Sequence, residues 1–164
     1  MKALVYTNPL ELTLSEEPDP APAKGEALLS VRAVGICGSD MHAYHGHDPR
    51  RVPPLILGHE AVAQVVEGAQ KGRSVVLNPL ISCGRCDYCS GGRSNLCPDR
   101  SLVGMNRPGA FAELIAMPEA NLIALPADMD DIEATRVAER SISGSVVSLI
   151  SVSVSVCVGS SAAG

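Results

Sequence analysis

Aromatic side chains are almost missing from this sequence of 164 residues: it has no Trp, one Phe and three Tyr. A core must therefore be built from Val, Leu, Ile and Ala, since apolar residues still make up 46% of the chain. That share excludes a disordered composition. The length suits one domain with a real core and is too short for two full domains. Basic clusters are lacking as well. The 13 Lys and Arg residues are scattered and the net charge is −5, which argues against nucleic acid or an anionic membrane surface as the main partner. No apolar run reaches the roughly 20 residues needed to span a bilayer. The opening MKALVYT also lacks the apolar stretch of a secretory signal. The expectation is a soluble, cytoplasmic protein with neither a membrane nor a nucleic-acid partner.

What the chain does have is punctuation, with 15 Gly and 12 Pro. Between these breakers lie short runs rich in Val, Leu and Ala. Lys2 to Thr7, Glu26 to Val34, Glu60 to Val66, Ser74 to Asn78 and Phe111 to Ala116 read as strands. Many short strands with Gly/Pro turns predict a mainly β fold, a small barrel or sandwich. One helix is expected, over Asp130 to Glu139, with Asp at its start. There is no internal repeat.

Four of the six cysteines fall within a stretch of fifteen residues. Cys83, Cys86, Cys89 and Cys97 follow the pattern C-x2-C-x2-C-x7-C. In a reducing compartment such spacing points to metal ligands rather than disulfides. Four thiolates on a tight turn can close a tetrahedron around zinc, which leaves no open position and makes the site structural. Gly84, Gly91 and Gly92 suit the turns of such a loop. An iron–sulfur cluster also takes four Cys, and spacing alone does not exclude it.

The second constellation is Cys37 in VGICGSDMH and His59-Glu60 in ILGHE. Each alone is weak, since a lone Cys or His is usually structural. Together they supply a mixed Cys, His and carboxylate set that suits zinc with an open coordination position. Gly35, Gly38 and Gly58 stand beside the candidate ligands, and Asp40 is a candidate to orient the His59 ring.

The order GICGSDMH, PLILGHE, the four-cysteine loop and then GAFAELIAMPEANLIALPADMD resembles the zinc-containing medium-chain alcohol dehydrogenases over residues 1–139. The GHE followed by a later Ala-Glu is most similar to the polyol and sugar-alcohol branch. The resemblance implies a GroES-like, partly open β-barrel carrying a structural zinc lobe. It implies two zinc ions per chain, the catalytic one held by Cys37, His59 and Glu60, with Glu139 as a further ligand or holder of its water. It implies Ser39 as the group that takes the alcohol proton and His42 as an outer member of the relay. His45 and His47 are expected to be exposed loop residues. The implied substrate is a small alcohol or polyol, the implied hydride acceptor is NAD or NADP, and family members are homo-oligomers. The same fold could also serve as a non-catalytic zinc-binding module. The joint presence of Cys37, Ser39, His59 and Glu60 favours an enzyme, because a scaffold needs only the four-cysteine loop. A third reading, a redox sensor, would need thiols free of metal.

After Glu139 the pattern departs from the family. Residues 140–164 form a Ser/Val-rich tail, in which Ser141 to Ser155 reads as one or two half-buried strands and as an aggregation-prone segment. The nearest approach to the G-x-G-x-x-G nucleotide fingerprint is Gly159 to Gly164, with Ser161 in place of the middle Gly. The α/β coenzyme-binding domain is therefore expected to be largely or wholly missing, with the coenzyme site incomplete. The tail reads either as a fragment ending inside that domain or as a segment translated out of frame. Reading the coding DNA one base over tests the second idea. The expected result is a Pro-initiated, helix-patterned segment, and none in either shifted frame overturns it.

Overall fold

The computed structural model describes residues 1–126, 129, 130 and 134. The fold over them is mainly β, as expected. The strands are β1 (Lys2–Asn8), β2 (Glu11–Glu16), β3 (Glu26–Gly35), β4 (Leu55–Ile56), β5 (Glu60–Glu67), β6 (Ser74–Leu77), β7 (Leu80–Ile81), β8 (Ser101–Leu102), β9 (Leu114–Pro118) and β10 (Leu122–Ala124). Two short α-helices interrupt them, α1 (Gly38–Tyr44) and α2 (Asp87–Ser90).

The strands form a five-stranded sheet in the order β10-β6-β5-β3-β9, a three-stranded sheet β2-β1-β4 and a pair β7-β8. An Ala3–Ala112 bridge joins the first two, supported by hydrogen bonds from the Leu4 N–H to the Phe111 carbonyl (2.7 Å) and from the Glu113 N–H to the Lys2 carbonyl (3.0 Å). The sheets curve around one interior without closing. Alternating side chains of β3, β5 and β6 fill it: Leu29, Val31, Ala61, Ala63, Val65, Val75 and Leu77 are all buried. Small and β-branched residues dominate, which suits sheet packing where large aromatics are unavailable. Phe111 packs against three of the four buried clusters, so the single Phe sits where the sheets meet.

Three expectations are refined. Phe111 to Ala116 splits, because residues 111–113 cross to β1 before β9 begins at Leu114. The strand β2 was not anticipated, since Leu12 and Leu14 alternate but point outward. The helix α1 was not anticipated either, because its GSDMHAY sequence is poor in strong helix formers. Its start is held instead by a side chain: the Cys37 N–H donates to Asp40 Oδ2 at 3.1 Å. Of the helix expected over Asp130 to Glu139, Ala134 is helical and its N–H bonds to the Asp130 carbonyl at 2.9 Å. Glu139 and the tail 140–164 lie outside the described residues.

Backbone contact is tightest around the peptide that precedes β5. Gly58 has φ +88°, and a Cβ there would stand 2.6 Å from the Phe111 ring. A Cβ on Gly109 would land on the Leu57 and Gly58 carbonyl oxygens. Gly109→Ala is therefore expected to cost roughly 1–3 kcal/mol as overpacking. A thermal melt should show Tm lowered by several degrees, and an unchanged Tm would refute the close approach.

Beneath α1, Asp48 receives Arg50 Nε at 2.8 Å and Arg51 NH1 at 2.7 Å. The hydrogen bond from the Arg50 side chain outweighs burial and holds the Asp48 carboxyl down from 3.8 to about 2. A depressed folded-state pKa contributes stability that is present above the unfolded value and lost as pH falls through the folded one. The Tm gap between wild type and Asp48→Asn should thus be full at pH 6 and shrink between about pH 4 and 2. A gap that stays constant across that range would refute the pairing.

Candidate metal centres

The longest ladder of the molecule delivers one site. β3 and β5 run antiparallel and end at the pair Gly35–Glu60. Cys37 lies two residues beyond one end and His59 one residue before the other, so ladder register brings them together across 22 positions of sequence. Gly35 is needed there, since a Cβ on it would stand 2.9 Å from Glu60 Oε2. One ligand atom each from Cys37, His59 and Glu60 lie within 4.8 Å of one another. His59 and Glu60 are buried and Cys37 is half-buried.

Asp40 works behind this trio from the first turn of α1. It is 2% exposed, and its Oδ1 lies 3.3 Å from His59 Nδ1. That contact is close enough for an ion pair but off-line for an N–H bond, and Nδ1 is the one buried side-chain polar atom among the described residues left without a formed hydrogen bond. Asp40 also takes the Cys37 N–H at 3.1 Å and the Gly58 N–H at 3.4 Å.

Electrostatics follow from this crowding. Burial pushes the His59 ring down, but Asp40 and then Cys37 outweigh it and raise the imidazole to about 10. The His59 side chain in turn lowers the Cys37 thiol, against burial and with help from the Ser39 hydroxyl and N–H. An acidified thiol and two carboxylates thus converge on one imidazole, a donor set that calls for positive charge. With Cys, His and carboxylate ligands together at one end of the ladder, the residues fit zinc.

The second site is local. α2 and the turns beside it bring Cys83, Cys86, Cys89 and Cys97 together, again with sulfurs within 4.8 Å. Cys86 and Cys89 sulfurs are 3.5 Å apart, and Cys83 and Cys89 sulfurs 3.9 Å. A disulfide would need about 2.05 Å, and all four are free. Tetrahedral zinc with Zn–S near 2.3 Å requires sulfur–sulfur edges of about 3.8 Å, so the loop fits the ion closely. Backbone N–H groups of Arg85 and Cys86 draw the Cys83 thiol down to about 6, ready to ligate. Cys97 is fully buried and anchors the lobe to the barrel.

Ser39 and His42 both sit on α1, three residues apart and so on one helix face. His42, His45 and His47 are exposed, with the His45 and His47 rings stacked at 5.8 Å. Sequence reasoning missed Arg51. It is 3% exposed and donates to Asp48, to the Gly104 carbonyl and to both oxygens of Ser39. Only its place in the fold reveals it, because an Arg in a loop otherwise reads as solvated.

Comparison with known proteins agrees with this geometry. Residues 23–127 match the family of the alcohol dehydrogenase GroES-like domain. The starvation-sensing protein RspB of Escherichia coli K12 is 36% identical over 137 residues, covering 80% of this chain and 40% of that protein. Sorbitol dehydrogenase of Halalkalibacterium halodurans is 38% identical, again over 80% of this chain and 40% of its own length. The crystal structure of the rspB alcohol dehydrogenase from E. coli CFT073, complexed with NADH, superposes with a TM-score of 0.78 at 32% identity, covering 84% of this chain and 42% of that one. The chain thus spans about two fifths of the length of these relatives. With two cysteine-bearing centres on an open barrel of this topology, the chain belongs to the GroES-like domain family of the zinc-type alcohol dehydrogenases.

Proposed function

We propose that this chain is the catalytic part of a zinc- and nicotinamide-dependent dehydrogenase that oxidises a small alcohol or polyol. The single observation that carries the reading is the convergence of Cys37, His59 and Glu60 within 4.8 Å at the end of the β3–β5 ladder. Residues 1–139 would form the catalytic domain and 140–164 the beginning of the nucleotide-binding one. Sorbitol dehydrogenase among the relatives supports a polyol as substrate, and the NADH-bound structure supports a nicotinamide as hydride acceptor. A cytoplasmic setting fits reduced cysteines, and no described helix is long and apolar enough to cross a membrane.

Cys37, His59 and Glu60 would hold the catalytic zinc, with Glu139 as a fourth ligand or an anchor for water. Bound there, zinc acts as a Lewis acid that lowers the pKa of an alcohol hydroxyl. Asp40 fixes the His59 ring and the Cys37 backbone, so that both present to one point. Ser39 takes the alcohol proton, and its own passes outward to the exposed His42, three residues along α1. Cys83, Cys86, Cys89 and Cys97 would hold the second, structural zinc and tie their loop to the barrel.

Metal analysis of the reduced chain tests the assignment. The expected content is two zinc ions per chain, falling to one in Cys37→Ser with the melting curve little changed. Cys97→Ser should lose the other ion and lower Tm. One zinc in the wild type, retained in Cys37→Ser, would leave the four-cysteine loop as the only centre and sink the catalytic reading.

A further inference from the structure

Arg51 is the feature the two centres do not account for. A guanidinium is costly to bury unless its donors are matched, and here each of the three nitrogens has an acceptor. NH1 reaches Asp48 Oδ2 at 2.7 Å and the Ser39 carbonyl at 3.3 Å, NH2 reaches Ser39 Oγ at 3.3 Å, and Nε reaches the Gly104 carbonyl at 3.0 Å. Asp48 balances its charge.

The partners are not random pieces of the fold. Ser39 stands two residues after Cys37, at the start of α1. Gly104 packs on Gly58, where a Cβ on Gly104 would stand 3.1 Å from the Gly58 carbonyl, and Gly58 immediately precedes His59. One fork of donors therefore braces the backbone behind both a Cys and a His ligand candidate. It also sets the direction of a hydroxyl. An arginine side chain has no lone pair to offer, so Ser39 Oγ can only accept from it. That leaves the Ser39 proton, and one lone pair, free for the side where Cys37 lies.

We propose that Arg51 is a positioning residue for the Cys37/His59/Glu60 centre: by holding Ser39 at carbonyl and hydroxyl together, it aims the hydroxyl at the metal ligands and the reacting alcohol. The inference rests on the two-centre reading above and adds to it a residue that touches neither ligand nor substrate. Lys could not replace it, because a single ammonium cannot span Asp48, the Gly104 carbonyl and both Ser39 oxygens at once.

The test measures zinc affinity of the whole chain by competition with a chelator, with the four-cysteine ion as internal reference. Arg51→Ala is expected to weaken the Cys37 site roughly tenfold or more, the usual scale for a group that orients metal ligands. The four-cysteine site should be unmoved. Ser39→Ala should weaken the same site, and the double variant should be no weaker than the worse single one. Added guanidinium ion should restore Arg51→Ala but not the double variant, a rescue that a general loss of stability would not show. If Arg51→Ala does not fold, Arg51→Lys, which keeps the charge beside Asp48, should keep its Tm and still lose affinity. Unchanged affinity at the Cys37 site, fully additive single effects, or an equal loss at both sites would overturn the proposal. A wild-type chain that binds one zinc would instead overturn the two-centre reading, which separates the two failures.

Discussion

One buried carboxylate holds the larger centre together. Asp40 accepts the backbone N–H of Cys37 and of Gly58 and lies against His59 Nδ1, so both halves of the site are referred to the same two oxygen atoms. Its cost of burial is met by the two backbone N–H donors, by the charge contact with His59 and by the first turn of α1, whose N–H groups favour negative charge. The helix is seven residues long and weak in propensity. It exists because Asp40 caps it, and it is useful because that cap also faces His59. A cap that failed would release Cys37, and with it Ser39 and the face that carries His42. The β3–β5 ladder supplies the coarse approach of the two segments, and Asp40 the fine one.

The four-cysteine loop was legible from spacing alone because its geometry is local: fifteen residues, tight turns and sulfur as the only chemistry. The strands β1, β3, β5, β6 and β9 were legible for the same reason, since alternation and Gly/Pro breaks are short-range signals. Cys37, His59 and Glu60 are different. Nothing in the intervening residues states that a ladder with register shifts between Leu28/Leu29 and Val31/Ala33 will end at Gly35–Glu60. Their residue types suggested a zinc site, and the resemblance to a family supported joining them. Asp40 was legible beside His59 as a carboxylate able to orient the ring. Arg51 was not, because its four acceptors come from three separate segments, one of them α1, and two of them are backbone carbonyls that no side-chain pattern encodes. The outward leucines of β2 hid that strand for a simpler reason: a hydrophobic alternation says which residues share a face, not that the face is buried.

The shortage of aromatics has a structural counterpart. A barrel with one Phe must fill its interior with Val, Leu and Ala, and small side chains let backbones approach. Around residue 58 that approach becomes a requirement, with Gly104 and Gly109 each packed against Gly58 and the Phe111 ring pressed over it. Three glycines and one ring thus define the wall on which His59 stands. Packing and site are not separate matters here, since any Cβ that spreads the wall also moves a ligand.

The two centres differ in what they require of the rest of the chain. The four-cysteine loop is half exposed, its ligands need only their own turns, and one of its thiols is already acidified by neighbouring backbone N–H groups. The Cys37 centre collects a thiol, two carboxylates and an imidazole at a largely buried point. So much negative charge cannot be desolvated without a cation among it. A proton on His59 is one such cation, and the raised imidazole shows how strongly the site retains it. A divalent ion would be the better match, because the Cys37 sulfur, a His59 ring nitrogen and a Glu60 oxygen lie close enough to share one, where a proton serves one atom. Asp40 stands behind the ring, with its Oδ1 3.3 Å from Nδ1. The groups that raise the His59 imidazole, Asp40 and Cys37, are thus also groups that would favour a cation bound at this point.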